Sequence, residues 1–135
     1  MGDPHLCMFQ GVQQFGYARG HGVILSQDYK IVKTVETVGE VVPMDQHEFR
    51  LTANEETFLV SVYQQVPYDL SPLGITDTVG WVQDAIFQEI NATDNSVLFQ
   101  WSALNHVDPW ESYVYPQSSD ISGTGREAMS PWDFL

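Results

Sequence analysis

Residues Asp45 to Tyr63 constrain the fold more than any other stretch. Phe49 and Leu51 alternate with Glu48, Arg50 and Thr52. The polar run Ala53-Asn54-Glu55-Glu56 interrupts, and Phe58, Val60 and Val62 then alternate with Leu59, Ser61 and Tyr63. Two period-2 runs on either side of a short polar turn are what a half-buried antiparallel hairpin needs. His47 stands just ahead of the first strand, beside Asp45 and Glu48. In a hairpin packed radially against others, that position points toward a shared central site.

The rest of the chain reads as further hairpins. Leu6 to Gly11 is a short apolar strand ended by glycine, and Gly16-Tyr17-Ala18-Arg19-Gly20-His21-Gly22 reads as a glycine-rich turn. The glycine spacing fits neither a dinucleotide fingerprint nor a P-loop, because no Lys-Ser/Thr pair and no helical pattern follow. Val23 to Glu36 is a hairpin turning at Ser26-Gln27-Asp28. Gln64 to Thr78, with Pro67, Asp69, Pro72 and Gly74, has little periodicity and reads as a long surface loop. Ala85 to Ile90 and Val97 to Trp101 form a third hairpin around Asn91-Ala92-Thr93-Asp94-Asn95-Ser96. That hexamer lacks the spacing and closing Glu of a calcium loop, so it reads as a turn, and its Asn91-Ala92-Thr93 matches a glycosylation sequon. From Asn105 to Gly125 the sequence is irregular, and no stretch carries a 3.6-residue apolar period.

Composition narrows the function classes. The 135 residues are the size of one domain, and 43% hydrophobic content suffices for a core. A formal net charge of −13 with five Lys and Arg excludes a nucleic-acid binder, which needs cations to displace phosphate counterions. It disfavours anionic membranes for the same reason, and no apolar run is long enough for direct membrane insertion. Met1 to His5 has neither the basic nor the apolar region of a secretory leader. Cys7 is alone, so it forms no intrachain disulfide or Cys-based zinc site. Its neighbours Leu6, Met8 and Phe9 make it a buried strand thiol. No cofactor and no metal site is expected.

The fold class is therefore all-β, built from antiparallel hairpins. Recurring hairpins suggest an incomplete β-propeller, whose blades are four-stranded sheets of about 40–45 residues or more. On that arithmetic the chain holds about two to three blades, fewer than a closed propeller needs. A β-sandwich is the competing solution.

Several ordered landmarks carry a resemblance. Asp45-x-His47-Glu48-Phe49 is followed by Leu51 and Tyr63, then by Asp69-Leu70-Ser71 and Gly80-Trp81-Val82-x-Asp84. Phe87-Gln88-Glu89-Ile90 and Leu98-Phe99-x-Trp101-Ser102 come next, with His106 four residues on. Upstream lie Phe9-Gln10-Gly11, Gly20-His21-Gly22 and Asp28-Tyr29, and downstream Pro131-Trp132-Asp133. This order resembles the fungal arylsulfotransferase-like family over nearly the whole chain. The resemblance implies a six-bladed propeller. It also implies transfer of sulfate between phenols through a sulfated histidine, independent of PAPS, in a channel ringed by histidines and an arginine.

His47 is the best match to a channel histidine, and its alternative is a structural imidazole tied to Asp45 or Glu48. His106, after a Trp-Ser strand end, is the second catalytic candidate. His5 and His21 are read as non-catalytic, and Arg19, Arg50 and Arg126 match no motif. After Phe134 the family would continue with a His-x-Asn-Ser strand. The chain is therefore expected to be one partial domain over 1–135, truncated at its C-terminus and its N-terminus and inactive alone. The partner implied for the full-length protein is an aryl sulfate or a phenol. The alternative function is a non-catalytic propeller-fragment interaction module, and open blade edges would favour self-association.

Overall fold

A computed structural model describes residues 4–14, 16–116 and 122–135. Met1 to Asp3, part of the stretch read as no leader, and Gln117 to Ile121 of the irregular stretch lie outside the described residues. The fold is all-β, with two open antiparallel sheets, which fits an incomplete propeller or a sandwich. Strands β1 (Leu6–Gln13), β2 (Ala18–Leu25) and β3 (Ile31–Val35) form one meander. Strands β4 (Phe49–Leu51), β5 (Thr57–Pro67), β6 (Trp81–Asn91) and β7 (Val97–Ser102) form a second in the order β4-β5-β6-β7. A four-stranded meander is the repeating sheet of a propeller.

The hairpins around Asp28, Asn54 and Asp94 form where the turn residues predict them. Only the start of the glycine run, Gly16 and Tyr17, lies in the connection between β1 and β2, with Gly16 at φ 76° and the Gln14 N–H donating to the Tyr17 carbonyl at 2.7 Å. Ala18 to Gly22 is strand, with Gly20 opposite Gly11 and Gly22 opposite Phe9 in the β1–β2 ladder. Gly22 marks a close approach: a Cβ there would lie 2.3 Å from the Phe49 ring. A strand glycine can leave room for a neighbouring ring as readily as it can make a turn. The loop expected from Gln64 is shorter than read, because β5 runs on to Pro67. Cys7 does lie in a strand, but half-buried, and its partial burial pushes the thiol pKa up.

The chain forms two compact units, one of residues 1–63 and 86–101, the other of residues 64–85 and 102–135. In the first, the inward alternation delivers Phe58 and Val60 of β5 to a buried cluster with Ile24, Val35, Met44 and Ile90. Phe49 stacks on Phe58, with ring centroids 5.9 Å apart. Gln88 is fully buried within this unit, and its amide serves the backbone. Its Oε1 accepts from the Val38 N–H at 3.0 Å and its Nε2 donates to the Val38 carbonyl at 2.7 Å. Buried amides are tolerated only when paired in this way.

The second unit is built on Trp132, which is buried and pairs in parallel with Val82. Its indole N–H donates to the Val114 carbonyl at 2.9 Å, and Trp110 and Phe134 pack against the ring at 6.1 Å. Buried Asp84 lies near the end of this unit's part of β6. Its Oδ2 accepts from the Ser102 hydroxyl at 2.6 Å and its Oδ1 from the Leu104 N–H at 3.0 Å. These bonds fix the 3₁₀ turn Ala103–Asn105 that follows β7.

Candidate functional site

His47 enters the site through the hairpin of β4 and β5. Ser61 on β5 holds the segment before β4 at two points. Its carbonyl accepts from the Asp45 N–H at 2.8 Å, and its hydroxyl accepts from the Glu48 N–H at 2.9 Å. Asp45 is thereby driven into the core, where it is fully buried, while His47 two residues on keeps about half of its side chain in solvent.

The buried carboxylate is saturated with donors. Oδ1 accepts from the Ala18 N–H at 2.5 Å, and Oδ2 accepts from the His47 backbone N–H at 2.8 Å. Oδ2 also meets the His47 ring at Nδ1. An acceptor at Nδ1 fixes the tautomer: Nδ1 carries the proton, and Nε2 keeps its lone pair. Of the two carboxylates beside His47 in sequence, Asp45 is the one that holds the ring. Tyr63 meets the other side of the imidazole edge-on, at 5.6 Å and 80°.

Arg19, which matches no sequence motif, joins this cluster. Its guanidinium donates to the Tyr63 carbonyl and to the Ala18 carbonyl, and stacks over the Tyr17 ring at 4.6 Å. Burial pulls its pKa down, while Tyr17 and Asp45 push it back up. Arg19 would have been found by reading the glycine run as a strand, since Arg19 and His21 then alternate onto one face. Both line a pocket of about 390 Å³ together with Gly20, Glu36, Thr37, Val41 and Pro43. His47 does not line it.

His106 belongs to the other unit, so His47 and His106 are described separately. His106 is exposed at the end of the 3₁₀ turn, where Nδ1 lies 2.8 Å from the Ser102 carbonyl. A carbonyl can only accept, so Nδ1 again carries the proton. His5 lies exposed ahead of β1. Among the described residues, no group of three or more His, Cys, Asp and Glu side chains could hold a metal ion.

The family model described as arylsulfotransferase (ASST) matches residues 1–135. The chain belongs to the arylsulfotransferase family. No curated protein and no solved structure matches it. The chain presents a carboxylate-held imidazole at the head of a hairpin, and such an imidazole can accept a proton at Nε2 while the carboxylate offsets the charge. The His106 imidazole has a neutral carbonyl in the same place. That bond orients the ring.

Proposed function

We propose that this chain serves the transfer of sulfate between phenols, with His47 as a working group of the active site and His106 as a second channel histidine. The buried Asp45 carboxylate on His47 Nδ1 is the observation that carries the reading. It holds the ring proton on Nδ1 and so leaves the Nε2 lone pair to act on a substrate. As the acceptor phenol oxygen bonds to sulfur and the S–O bond to the donor phenolate breaks, Nε2 can take the acceptor's proton; in the reverse direction it can return a proton to the leaving phenolate. About half of this side chain is exposed, which leaves it open to a substrate.

We also propose that residues 1–135 form part of a propeller. Two open sheets cannot close a ring that takes at least about four blades. Sulfuryl transfer needs donors for the sulfuryl oxygens and an acid for the leaving oxygen, all fixed around one point. Arg19, the cation joined to the His47 cluster, already donates to two backbone carbonyls.

The test is release of p-nitrophenol from p-nitrophenyl sulfate in the presence of a phenol acceptor. It is run on the encoded polypeptide and on residues 1–135 alone. In the encoded polypeptide, His47→Ala lowers kcat by about 10²–10³, the usual loss for one preorganised catalytic group. The 135 residues alone stay at background. An unchanged rate in His47→Ala removes His47 from the site, and His47-dependent turnover by the 135 residues alone removes the partial-propeller reading.

A further inference from the structure

The loop that joins β6 to β7, residues 91–96, is fixed by its own polar groups. Asn91 Oδ1 accepts from the Thr93 N–H at 2.7 Å and from the Asp94 N–H at 3.4 Å. Asp94 Oδ1 accepts from the Ser96 N–H at 2.9 Å and from the Ser96 hydroxyl at 2.7 Å. Asn95, at φ 60°, takes the left-handed position that asparagine tolerates, and its N–H donates to the Asn91 carbonyl at 3.0 Å. Ala92 is tied from outside the loop. Its N–H donates to the Glu56 carbonyl at 2.8 Å, and its carbonyl accepts from the Lys33 ammonium.

Turn chemistry accounts for Asn91, Asp94, Asn95 and Ser96, but not for the Thr93 side chain. Thr93 is exposed, and among the described residues its hydroxyl makes no hydrogen bond. Only its backbone N–H serves the turn, a service any residue but proline can give. The Asn91 amide is also half used. Two backbone N–H groups can only donate, so the oxygen must face them and Nδ2 is turned away. Among the described residues Nδ2 has no partner, and it is in contact with solvent. Alternation along β6 sends Ile86, Gln88 and Ile90 inward and Asn91 to the opposite side. Of the four asparagines in the sequence, Asn91 alone has Ser or Thr two residues on with no proline between.

We propose that Asn91 is the acceptor of an N-linked oligosaccharide. The co-reactant is an oligosaccharide carried on a lipid pyrophosphate. The bond from Nδ2 to the sugar C1 forms as the bond from C1 to the pyrophosphate oxygen breaks. The lipid pyrophosphate leaves with the electron pair, and the transferase takes one of the two Nδ2 protons. Oδ1 is untouched by the step, so both turn bonds survive it. The idle Thr93 hydroxyl is the group a transferase must reach to read the sequon. A bulky, solvated sugar is accommodated on such a loop and would not be in a core. The assignment is independent of the sulfate-transfer reading above.

The test expresses the encoded polypeptide behind a secretory leader in a eukaryotic host and reads the peptide containing Asn91 by mass spectrometry. Retained and secreted material are both scored, so a folding failure does not hide the result. The parent carries an oligosaccharide at Asn91, and glycan-releasing amidase in ¹⁸O water removes it and leaves a labelled aspartate in its place. Thr93→Ala loses the sugar, and Thr93→Ser keeps it. Thr93→Ala melts with the amidase-treated parent, because the turn uses only the backbone N–H of that residue. Asn91→Gln loses the sugar and the turn bonds together, which makes Thr93→Ala the cleaner control. A parent unmodified at Asn91, or a sugar that persists in Thr93→Ala, overturns the assignment. So does a glycosylated protein that melts more than about 4 °C below its amidase-treated form, since the sugar would then be displacing the turn bonds.

Discussion

In one unit the Asp45 carboxylate reaches the His47 ring directly; in the other, the Asp84 carboxylate stops one step short of His106. Both aspartates are buried, and both staple a backbone turn. Asp84 spends its two oxygens on the Ser102 hydroxyl and the Leu104 N–H, and His106 hangs from the carbonyl of Ser102. The difference separates two jobs that a buried carboxylate can do. Asp84 shapes a turn that presents a histidine. Asp45 shapes a turn and also lies against the imidazole, where its charge can stabilise the protonated ring.

Replacing each aspartate by its isosteric amide sharpens the comparison, and Asp45→Asn has the largest effect. Both Asp45 oxygens face backbone N–H groups that can only donate, one from Ala18 and one from His47. An asparagine must turn its NH₂ toward one of them, whichever way it flips. With a buried donor left facing a donor, the cost is about 3 kcal/mol. Chemical denaturation measures it, and ¹⁵N shifts of the His47 ring report the accompanying loss of the fixed tautomer. A loss below about 1 kcal/mol would mean that the carboxylate is not the group organising this hairpin.

Packing is the rival explanation for how the His47 hairpin is seated, and Gly22→Ala tests it. The Phe49 ring fills the space where a Gly22 Cβ would stand, and stacks on Phe58. An added methyl overpacks this contact at a cost of about 2 kcal/mol. His47 should keep its Nδ1-protonated tautomer in this variant, because Asp45 and Ser61 are untouched. A tautomer change here, without one in Asp45→Asn, would transfer the organising role to the aromatic stack.

Asp84→Asn comes next and is nearly silent. The amide oxygen can take the Leu104 N–H, and the NH₂ can face Ser102, whose hydroxyl rotates to accept instead of donate. The expected loss is below about 1 kcal/mol. A loss as large as that of Asp45→Asn would erase the distinction between the two sites.

These contrasts mark what the sequence could and could not reveal. The His47 hairpin was legible because alternation fixes which residues of β5 face the core, and Phe58, Val60 and Val62 are buried as the pattern requires. The Asp45–His47 pair was legible as one of two neighbouring carboxylates, since it spans two residues. The β2 strand was not, because glycine serves both turns and close ring contacts, and only the position of Phe49 decides between them. Arg19 and Gln88 were invisible for a different reason. Their partners Tyr63 and Val38 lie 44 and 50 residues away, where no local spacing rule reaches. The pocket inherits that blindness, as both of its walls depend on such distant bonds.

The smallest effect belongs to a third carboxylate, Asp133, which is partly buried and holds fewer donors than Asp45 or Asp84. Its one side-chain bond is a long one, 3.4 Å from the Leu135 N–H. Burial therefore pushes its pKa above the ordinary 3.8, and the Leu135 bond offsets this only in part. The folded state binds this proton more tightly than the unfolded state does. The resulting stability is present in full below about pH 3.8 and is lost as pH rises through the raised value, so the ionised group burdens the fold at neutral pH. Asp133→Asn carries no charge at any pH. Its melting temperature should exceed that of the parent at pH 7, and the gap should close as pH falls toward 3.8. Asp69 and Asp77, whose pKa values are lowered, push stability the opposite way, losing their contribution as pH falls. They are present in both proteins and cancel in the difference. A gap that widens on acidification would mean that Asp133 is stabilised as an anion.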